Sequence, residues 1–299
     1  MHRPNAPPLH SGRANAAAAT AAILFGASVV AVRIAVREVP PTALAFLRFG
    51  QGAAVLGAGL ALFRRDLFRV APRDLPYLAL LGLIFYTIFP VTFNAGLQYL
   101  EASQAALLVA TIPLWTLLLA RVVTGERLKP RQVAGVALSI AGVAIVMAER
   151  GLGRVSLTGD LLLATTALCG ATYNVLAKRV LARYDGVTVS FYAMLFGSLL
   201  LSPSLAGWHP ASLTGETALL VVFLGVFGGA LAFTLWTVAL RRLSPTEVAV
   251  YINLNPIAAT LLAATTLGER LTPAFVAGFV AVASGVLVVN WMPGRRVAG

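Results

Sequence analysis

The sequence contains few charged residues, three histidines and a single cysteine. Asp, Glu, Lys and Arg make up 11% of its 299 residues, whereas a soluble globular domain has about a quarter. Cys169 lies inside an apolar run, so an intrachain disulfide and a cysteine-based metal site are excluded. His2, His10 and His209 fall outside the predicted membrane spans, which excludes a buried histidine as a base or metal ligand.

Sequence motifs of common enzymes are also absent. The chain has no P-loop, no glycine-rich dinucleotide-binding turn and no serine–histidine arrangement. No pair of carboxylates lies within a predicted span, and no segment could form the nucleotide-binding domain of an ATP-driven pump. We therefore predict that the protein is not an enzyme and binds neither a cofactor nor a metal ion.

Apolar residues dominate the remaining sequence. They account for 59% of the chain, with a mean hydropathy of +0.84, and a transmembrane helix needs about 20 mostly apolar residues. Prolines, glycines and charge clusters divide the chain into ten candidate spans. These cover approximately residues 15–36, 42–63, 75–97, 102–122, 131–148, 158–180, 187–206, 215–240, 245–266 and 273–292. The first is too long for a signal peptide and lacks a cleavage-like site, so we expect the mature protein to retain it.

The positive charges indicate an orientation for these spans. With a cytoplasmic N-terminus, 17 Lys and Arg residues fall on the cytoplasmic side and 5 on the outside, while Arg48 lies within a span. The positive-inside rule therefore predicts that both termini are cytoplasmic. The net charge of +12 and the pI near 11.0 are then explained by topology and by attraction to anionic lipid, without a nucleic-acid partner.

One short charged loop occurs twice in the chain. "TGERLKP" at 124–130 returns as "LGERLTP" at 267–273, and Pro113 and Pro256 are separated by the same 143 residues. Aligning residues 97–146 with 240–289 without a gap gives 18 identities in 50 positions. A weaker match relates "FGAS" at 25–28 to "CGAT" at 169–172. We infer that a unit of five spans has been duplicated.

An odd number of spans has a consequence for the orientation of the second unit. It must enter the membrane from the opposite side, so the two units form an inverted repeat, an architecture typical of secondary transporters. The predicted fold is an all-α membrane protein with ten transmembrane helices. Its parts are a cytoplasmic tail at 1–14, a first repeat at 15–148, an extracytoplasmic linker at 149–157, a second repeat at 158–292 and a cytoplasmic tail at 293–299.

These features resemble a known family over nearly the whole chain. Arg48 in the second span, the mid-span Pro113 and Pro256, and "GERL" followed by paired glycines in both halves resemble the EamA type of the drug/metabolite transporter superfamily. Within it, the chain is similar to bacterial YddG-like exporters of aromatic amino acids. The resemblance implies a multi-pass protein of the bacterial cytoplasmic membrane that carries a small-molecule substrate.

Several residues are candidates for kinks, packing or substrate contact. Pro90, Pro113 and Pro256 each remove a backbone hydrogen bond within a span and are predicted to kink it, with a role in gating. Arg48 either anchors helices structurally or contacts substrate. Glycines spaced seven residues apart are predicted to form packing seams between helices. These are Gly135 with Gly142 and Gly278 with Gly285.

Deep aromatic and amide side chains fit a cavity for a flat apolar ligand, although each could instead pack against helices or lipid. The predicted substrate-binding residues are Tyr86, Phe89, Asn94, Thr111, Trp115, Tyr173, Trp236, Asn253 and Asn255. Of these, Trp115, Asn253 and Asn255 are expected to line the centre of the site between the two halves.

The favoured function is export of aromatic or bulky apolar amino acids by alternating access, without proton coupling. No acidic residue is placed deep in a span, and Glu101 and Glu247 are the least secure of these assignments because they lie near helix starts. Alternatives are a multidrug or phosphorylated-metabolite transporter of the same superfamily, a passive pore and a membrane enzyme. The oligomeric state stays open, and a monomer is compatible with the sequence.

Overall fold

The structure is a computed structural model, and it describes residues 11–100, 108–123, 125, 128–149, 156–206, 214–267 and 272–290. Within these ranges every regular element is a helix, which confirms the predicted all-α class. The GERL loops lie largely outside the described residues. In the first loop Gly125 has φ 67°, a left-handed conformation that glycine adopts without steric cost.

The described residues form ten helical rods, here called α1 to α10. Seven are uninterrupted, namely α1 (Ser11–Ala35), α2 (Pro41–Phe63), α4 (Ile112–Val123), α5 (Pro130–Glu149), α6 (Leu157–Leu181), α7 (Gly186–Leu201) and α10 (Pro273–Asn290). Three are interrupted, namely α3 (Leu75–Gly82, Leu83–Ile88 and Phe89–Tyr99), α8 (Gly215–Gly225, Val226–Leu231 and Ala232–Arg242) and α9 (Pro245–Ala249, Val250–Asn253 and Leu254–Leu267).

Seven helices in the described part of the chain are long and apolar enough to cross a membrane. The helices α4 and α5 contribute shorter apolar segments, Ile112–Val123 and Pro130–Ile145. The count of ten spans and the cytoplasmic location of both termini therefore stay predictions.

Several helices begin where a side chain caps the free backbone N–H groups of the first turn. The side chains of Ser156, Asp185 and Thr214 accept hydrogen bonds from the backbone N–H groups of Gly159, Val187 and Thr217, respectively. At the start of α9, Ser244 and Glu247 form a reciprocal capping box. These local signals fix where each helix begins and how its connecting loop enters.

The α-helical backbone is interrupted at equivalent positions of the two repeats. The middle of α3 is π-helical over Leu83–Ile88, and the middle of α8 is π-helical over Val226–Leu231. The two segments are the same length and lie 143 residues apart, the offset of the sequence repeat. A π-helical segment adds a residue to a helical turn and is frequent at functional sites.

A glycine seam between α5 and α10 shows that the repeat is inverted. A Cβ atom on Gly135 would lie 2.7 Å from the Gly285 carbonyl oxygen, and one on Gly142 would lie 2.7 Å from the Gly278 carbonyl oxygen. As numbers rise along α5 they fall along α10, so these equivalent helices run antiparallel. The predicted packing role of the four glycines is confirmed.

The π-helical rod of each half packs against the other half. A Cβ atom on Gly82 of α3 would lie 2.9 Å from the backbone nitrogen of Gly197 in α7. In the equivalent place, a Cβ atom on Gly225 of α8 would lie 2.6 Å from the Cβ of Gln51 in α2. Because the two repeats approach each other closely at both places, helices of both repeats form the interior of the bundle.

The break in α9 precedes Pro256. A 3-10 segment at Val250–Asn253 separates the two α-helical parts, and Pro256 has no N–H to donate to the Ile252 carbonyl one turn earlier. In the orientation of its amide that satisfies both ends, Asn255 donates to that carbonyl at 3.3 Å and to Ala22 O at 2.7 Å. Asn255 therefore supplies the hydrogen bond that Pro256 cannot donate, and it connects α9 to α1.

Candidate functional site

A cluster of buried aromatic rings, here called the aromatic cage, lies where helices of the two halves meet. The first half supplies rings from α1, α2 and α3, and the second half supplies rings from α6 and α8. Each member is at most 8% exposed. The members are Phe25, Phe49, Phe85, Tyr86, Tyr173, Phe233 and Trp236.

Ring contacts join the two halves directly. The ring of Phe85 in α3 stacks on that of Tyr173 in α6, with centroids 4.1 Å apart and planes 15° apart. Phe233 of α8 lies 5.1 Å from Tyr86 and 4.6 Å from Phe25, measured between ring centroids. Offset and tilted ring pairs of this kind add about 0.5–1.5 kcal/mol each beyond area burial. An apolar, flat-walled interior results.

Two hydroxyl groups lie inside this apolar cluster. Tyr86 and Tyr173 are both 0% exposed. Neither hydroxyl makes a hydrogen bond of normal geometry among the described residues, although the Tyr86 hydroxyl is close enough to those of Tyr173 and Ser190 to interact with them. A buried polar group left unpaired costs about 1–3 kcal/mol. A ligand that supplied a better partner would remove this cost, so the two hydroxyls are candidates for contact with a substrate.

Other polar groups of the site are paired with each other. Trp236 Nε1 donates to Asn174 Oδ1 at 2.9 Å, and Asn174 Nδ2 donates to Thr116 Oγ1 at 3.4 Å. These bonds fix the indole of Trp236 against α6 and α4. The hydroxyls of Ser190 and Thr237 lie 2.7 Å apart and join α7 to α8. They therefore hold the cage walls in place.

Arg48 adds a positive charge at the edge of the cage. Its Nη2 donates to the carbonyl oxygen of Gly228 at 2.8 Å, within the π-helical segment of α8. The guanidinium carbon lies 5.3 Å from the Phe49 ring centroid and 5.6 Å from that of Phe233, distances at which a cation is attracted to an aromatic face.

The structure brings together some of the predicted substrate-binding residues. Tyr86, Tyr173 and Trp236 belong to the cage, and the Phe89 ring lies 5.0 Å from that of Phe85. Pro90 and Pro256 follow the interruptions of α3 and α9, whereas Pro113 follows the turn at residues 110–111, immediately before α4. The gating role of these prolines stays a prediction.

The polar groups of four other predicted residues have hydrogen-bond partners outside the cage rings in the structure. Asn94 Nδ2 donates to the Pro41 carbonyl at 3.1 Å, and Thr111 Oγ1 donates to the Leu108 carbonyl at 2.5 Å. Asn253 Nδ2 donates to Ser139 Oγ at 2.9 Å, towards α5, and Asn255 faces α1. Trp115 is 36% exposed. Their roles in substrate binding stay predictions.

Sequence reasoning missed three rings of the cage and one polar residue. Phe25, Phe49 and Phe233 were not singled out because lone aromatics in apolar runs occur on lipid-facing surfaces as well. Asn174 did carry a signal, since an amide in the middle of a span needs a partner in the protein interior.

Comparison with protein families assigns this architecture. The sequence model of the EamA-like transporter family matches residues 12–148 and again residues 157–291. The chain belongs to the EamA-like transporter family. It is therefore a multi-pass membrane protein and a transporter.

Relatives of this EamA-like transporter support the family assignment. It is 33% identical over 237 residues, 77% of each chain, to a Streptantibioticus cattleyicolor protein named "probable terminal-alkyne amino-acid exporter". It is 27% identical to the "probable amino-acid metabolite efflux pump" of Salmonella typhimurium, covering 89% of this chain and 91% of that one. A crystal structure at 23% identity shares the fold, with a TM-score of 0.79 over 93% of this chain and 96% of the other.

Proposed function

We propose that this EamA-like transporter exports aromatic or bulky apolar amino acids across the bacterial cytoplasmic membrane, and that the aromatic cage is its substrate site. The observation that carries the proposal is the enclosure by rings from both halves of two hydroxyls, Tyr86 and Tyr173, that make no hydrogen bond of normal geometry among the described residues. Flat apolar walls with a few polar groups suit a ligand that has an aromatic side chain and a polar end.

Two relatives that match over more than three quarters of both chains are named for amino-acid export or amino-acid metabolite efflux. These names support the substrate class without identifying the substrate. A phosphorylated substrate would favour several cations in the cage, whereas Arg48 is the cation found there among the described side chains. A cationic drug would favour a buried carboxylate, and the described side chains of the cage include none.

Alternating access follows from the inverted repeat. Equivalent helices run antiparallel, so exchanging the conformations of the two halves converts an opening on one side into an opening on the other. The cage lies between the halves and its rings are almost fully buried. The structure therefore supports an occluded intermediate in which neither side reaches the substrate site.

Transport in this scheme is not coupled to protons. Proton coupling needs a titratable group that alternates between the two sides of the membrane. Glu247 is one of the two acidic residues whose placement near a helix start was least secure in the sequence. Its Oε2 accepts a hydrogen bond from Ser244 N at 2.9 Å, so it has a structural partner. Glu101 lies outside the described residues. An abundant cytoplasmic amino acid would leave down its own gradient.

Counterflow in proteoliposomes tests the substrate class. Vesicles preloaded with unlabelled tryptophan, phenylalanine or leucine are expected to accumulate the labelled amino acid, whereas vesicles loaded with lysine or glutamate are not. Phe85→Ala removes the ring that stacks on Tyr173 and should raise the apparent KM about fivefold or more. Phe227→Ala is the matched control, because that phenylalanine is 47% exposed. Equal exchange of all five amino acids would refute the proposed specificity.

An imposed pH gradient tests the absence of coupling. We expect the same final level of labelled tryptophan with and without the gradient. Uphill accumulation that a protonophore abolishes would contradict the proposal and would direct attention to Glu101.

A further inference from the structure

The charge of Arg48 enters the apolar interior, and no carboxylate of the described residues pairs with it. Arg48 lies seven residues into α2, about 10 Å along the helix axis at 1.5 Å per residue. The ion pairs found among the described residues involve Arg64, Arg183 and Arg241 instead. A cation that is removed from water and lacks an anionic partner is expensive, and such cations in membrane proteins mark substrate or ion sites.

Much of the hydrogen-bonding capacity of this guanidinium is unused. Nη2 donates to the Gly228 carbonyl, whereas the buried Nε has no hydrogen-bond partner in the described part of the chain. Arginine carries five N–H donors in a planar fork that matches the two oxygens of a carboxylate. One backbone carbonyl is a poor match for that fork, so an anchoring role alone leaves the chemistry of Arg48 unexplained.

The guanidinium and the Tyr86 side chain share the same neighbours. The guanidinium carbon lies 5.3 Å and 5.6 Å from the ring centroids of Phe49 and Phe233. The Tyr86 ring centroid lies 5.1 Å from the centroids of both of these rings. The Tyr173 ring centroid is a further 6.0 Å from that of Tyr86. Arg48 and Tyr86 therefore contact the same two rings, and Tyr173 lies next to Tyr86.

We propose that Arg48, together with the hydroxyls of Tyr86 and Tyr173, binds the α-carboxylate of the transported amino acid. The substrate side chain then packs among the rings of the aromatic cage. This inference rests on the proposed function and adds the chemical group by which the site selects its substrate. It makes the transporter selective for an amino acid over the amine that has the same side chain.

Paired substrates that differ only in the carboxylate test this role. Counterflow of labelled tryptophan is competed by unlabelled tryptophan or by tryptamine in vesicles that contain the wild-type protein, Arg48→Lys, Tyr86→Phe or Tyr173→Phe. The wild type should bind tryptophan at least about tenfold more tightly than tryptamine. Arg48→Lys should lose most of this preference through weaker tryptophan binding, with tryptamine competition unchanged. Each Tyr→Phe variant should lose part of it.

A control and a structural readout separate selection from folding. Arg121→Lys, on an exposed arginine in the last turn of α4, should keep the wild-type ratio. If Arg48 has only a structural role, Arg48→Lys should be less thermally stable, and competition by tryptophan and by tryptamine should weaken equally. That result would overturn the inference.

Two further outcomes are distinguishable. If the wild type moves no amino acid at all, the proposed function fails. If the wild type moves tryptophan and Arg48→Lys keeps the tryptophan-to-tryptamine ratio, the function stands and the carboxylate site fails. A third result would also overturn the inference. If inorganic phosphate competes with the wild type but not with Arg48→Lys, and the tryptophan-to-tryptamine ratio is unchanged, Arg48 binds a free anion.

Discussion

At one end of the bundle a buried carboxylate joins the two halves, and at the other end an exposed carboxylate does so. The Asp74 carboxylate, whose side chain is 8% exposed, lies 2.8 Å from Arg183 Nη1 and accepts a hydrogen bond from the Tyr184 hydroxyl at 2.6 Å. At the opposite end, Glu38 accepts hydrogen bonds from Thr214 N at 3.0 Å and from Thr214 Oγ1 at 3.1 Å. We call these contacts the Asp74 latch and the Glu38 latch.

The two latches occupy equivalent places in the inverted repeat. In each, the loop after the first helix of one half meets the start of the third helix of the other half. Asp74 precedes α3, and the residue 143 positions later is Thr217, whose N–H is capped by Thr214 at the start of α8. Asp74 of the first half therefore takes part in an ion pair, whereas the equivalent Thr217 of the second half is capped by a neutral threonine side chain.

Different chemistry at equivalent positions predicts unequal gates. The Asp74 latch is reinforced nearby, because Thr188 and Tyr192 of α7 donate hydrogen bonds to the carbonyls of Leu67 and Phe68, each at 2.9 Å. A buried charge is expensive to leave without its partner, whereas water can replace the hydrogen bonds of an exposed carboxylate. We therefore expect the occluded protein to open more readily at the Glu38 end.

Asp74→Asn should produce the largest change in this balance. It removes the charge that pairs with Arg183 and should increase opening at the Asp74 end at least about fivefold. The measurement is the rate at which an impermeant thiol reagent, applied from the Asp74 side, labels Ser190→Cys in a Cys169→Ala background. Ser190 is fully buried beside the cage, so its labelling reports access to the substrate site.

Asp66→Asn provides the matched control for this experiment. Asp66 pairs with Arg64 at the same end, but both side chains are more than 60% exposed and the pair lies within the first half. Its loss should leave labelling unchanged. Equal labelling in the Asp74 and Asp66 variants would contradict the assignment of the Asp74 latch as a gate.

Tyr184→Phe should have a smaller effect in the same direction. The hydroxyl donates to Asp74 and accepts a hydrogen bond from Ala71 N at 3.1 Å, but the ion pair with Arg183 stays. We expect labelling of the Ser190→Cys reporter from the Asp74 side to rise about threefold. No rise, or a rise as large as that of Asp74→Asn, would show that the hydroxyl and the ion pair do not contribute separately.

Much of the symmetry behind this comparison could be predicted from the sequence. The repeated GERL loop predicted the offset of 143 residues, and the glycines at 135, 142, 278 and 285 predicted packing seams between helices. Both features are local, because a tight turn and a close helix approach each demand particular residues. The π-helical segments of α3 and α8 share this offset but carry no sequence signature, so their existence was not predicted.

Contacts between distant residues were harder to predict than the elements that make them. Asn253 and Asn255 were expected in the central cavity because amides near a mid-span proline need partners, and in the structure their partners are Ser139 and Ala22. Periodicity says that a polar residue faces protein instead of lipid, but which helix it faces depends on packing.

Substitutions at Thr214 test how much its hydroxyl stabilises the Glu38 latch. Thr214→Ala removes the hydroxyl that caps α8 and that binds Glu38, which should cost about 0.5–2 kcal/mol of stability. Thermal unfolding in detergent measures this loss, and Thr214→Ser should restore most of it. Thiol labelling of Ser190→Cys from the Glu38 side should also rise in Thr214→Ala. A serine variant as unstable as the alanine variant would mean that the methyl group, not the cap, matters.

Acidification should have the smallest effect on opening at the Glu38 end. The Thr214 N–H and hydroxyl hold the pKa of the Glu38 carboxyl below its ordinary value of 4.5. A carboxyl with a lowered pKa stabilises the folded contact above its ordinary value, and this stabilisation is lost as pH falls through the lowered pKa. Labelling of Ser190→Cys from the Glu38 side, with an acid-tolerant reagent, should therefore rise modestly below about pH 4.5. Glu38→Gln should label at a rate that does not change over this range, because its amide does not titrate. If the glutamine variant keeps the acid-dependent rise, protonation of another group opens this end, and the Glu38 latch is not the element that responds to pH.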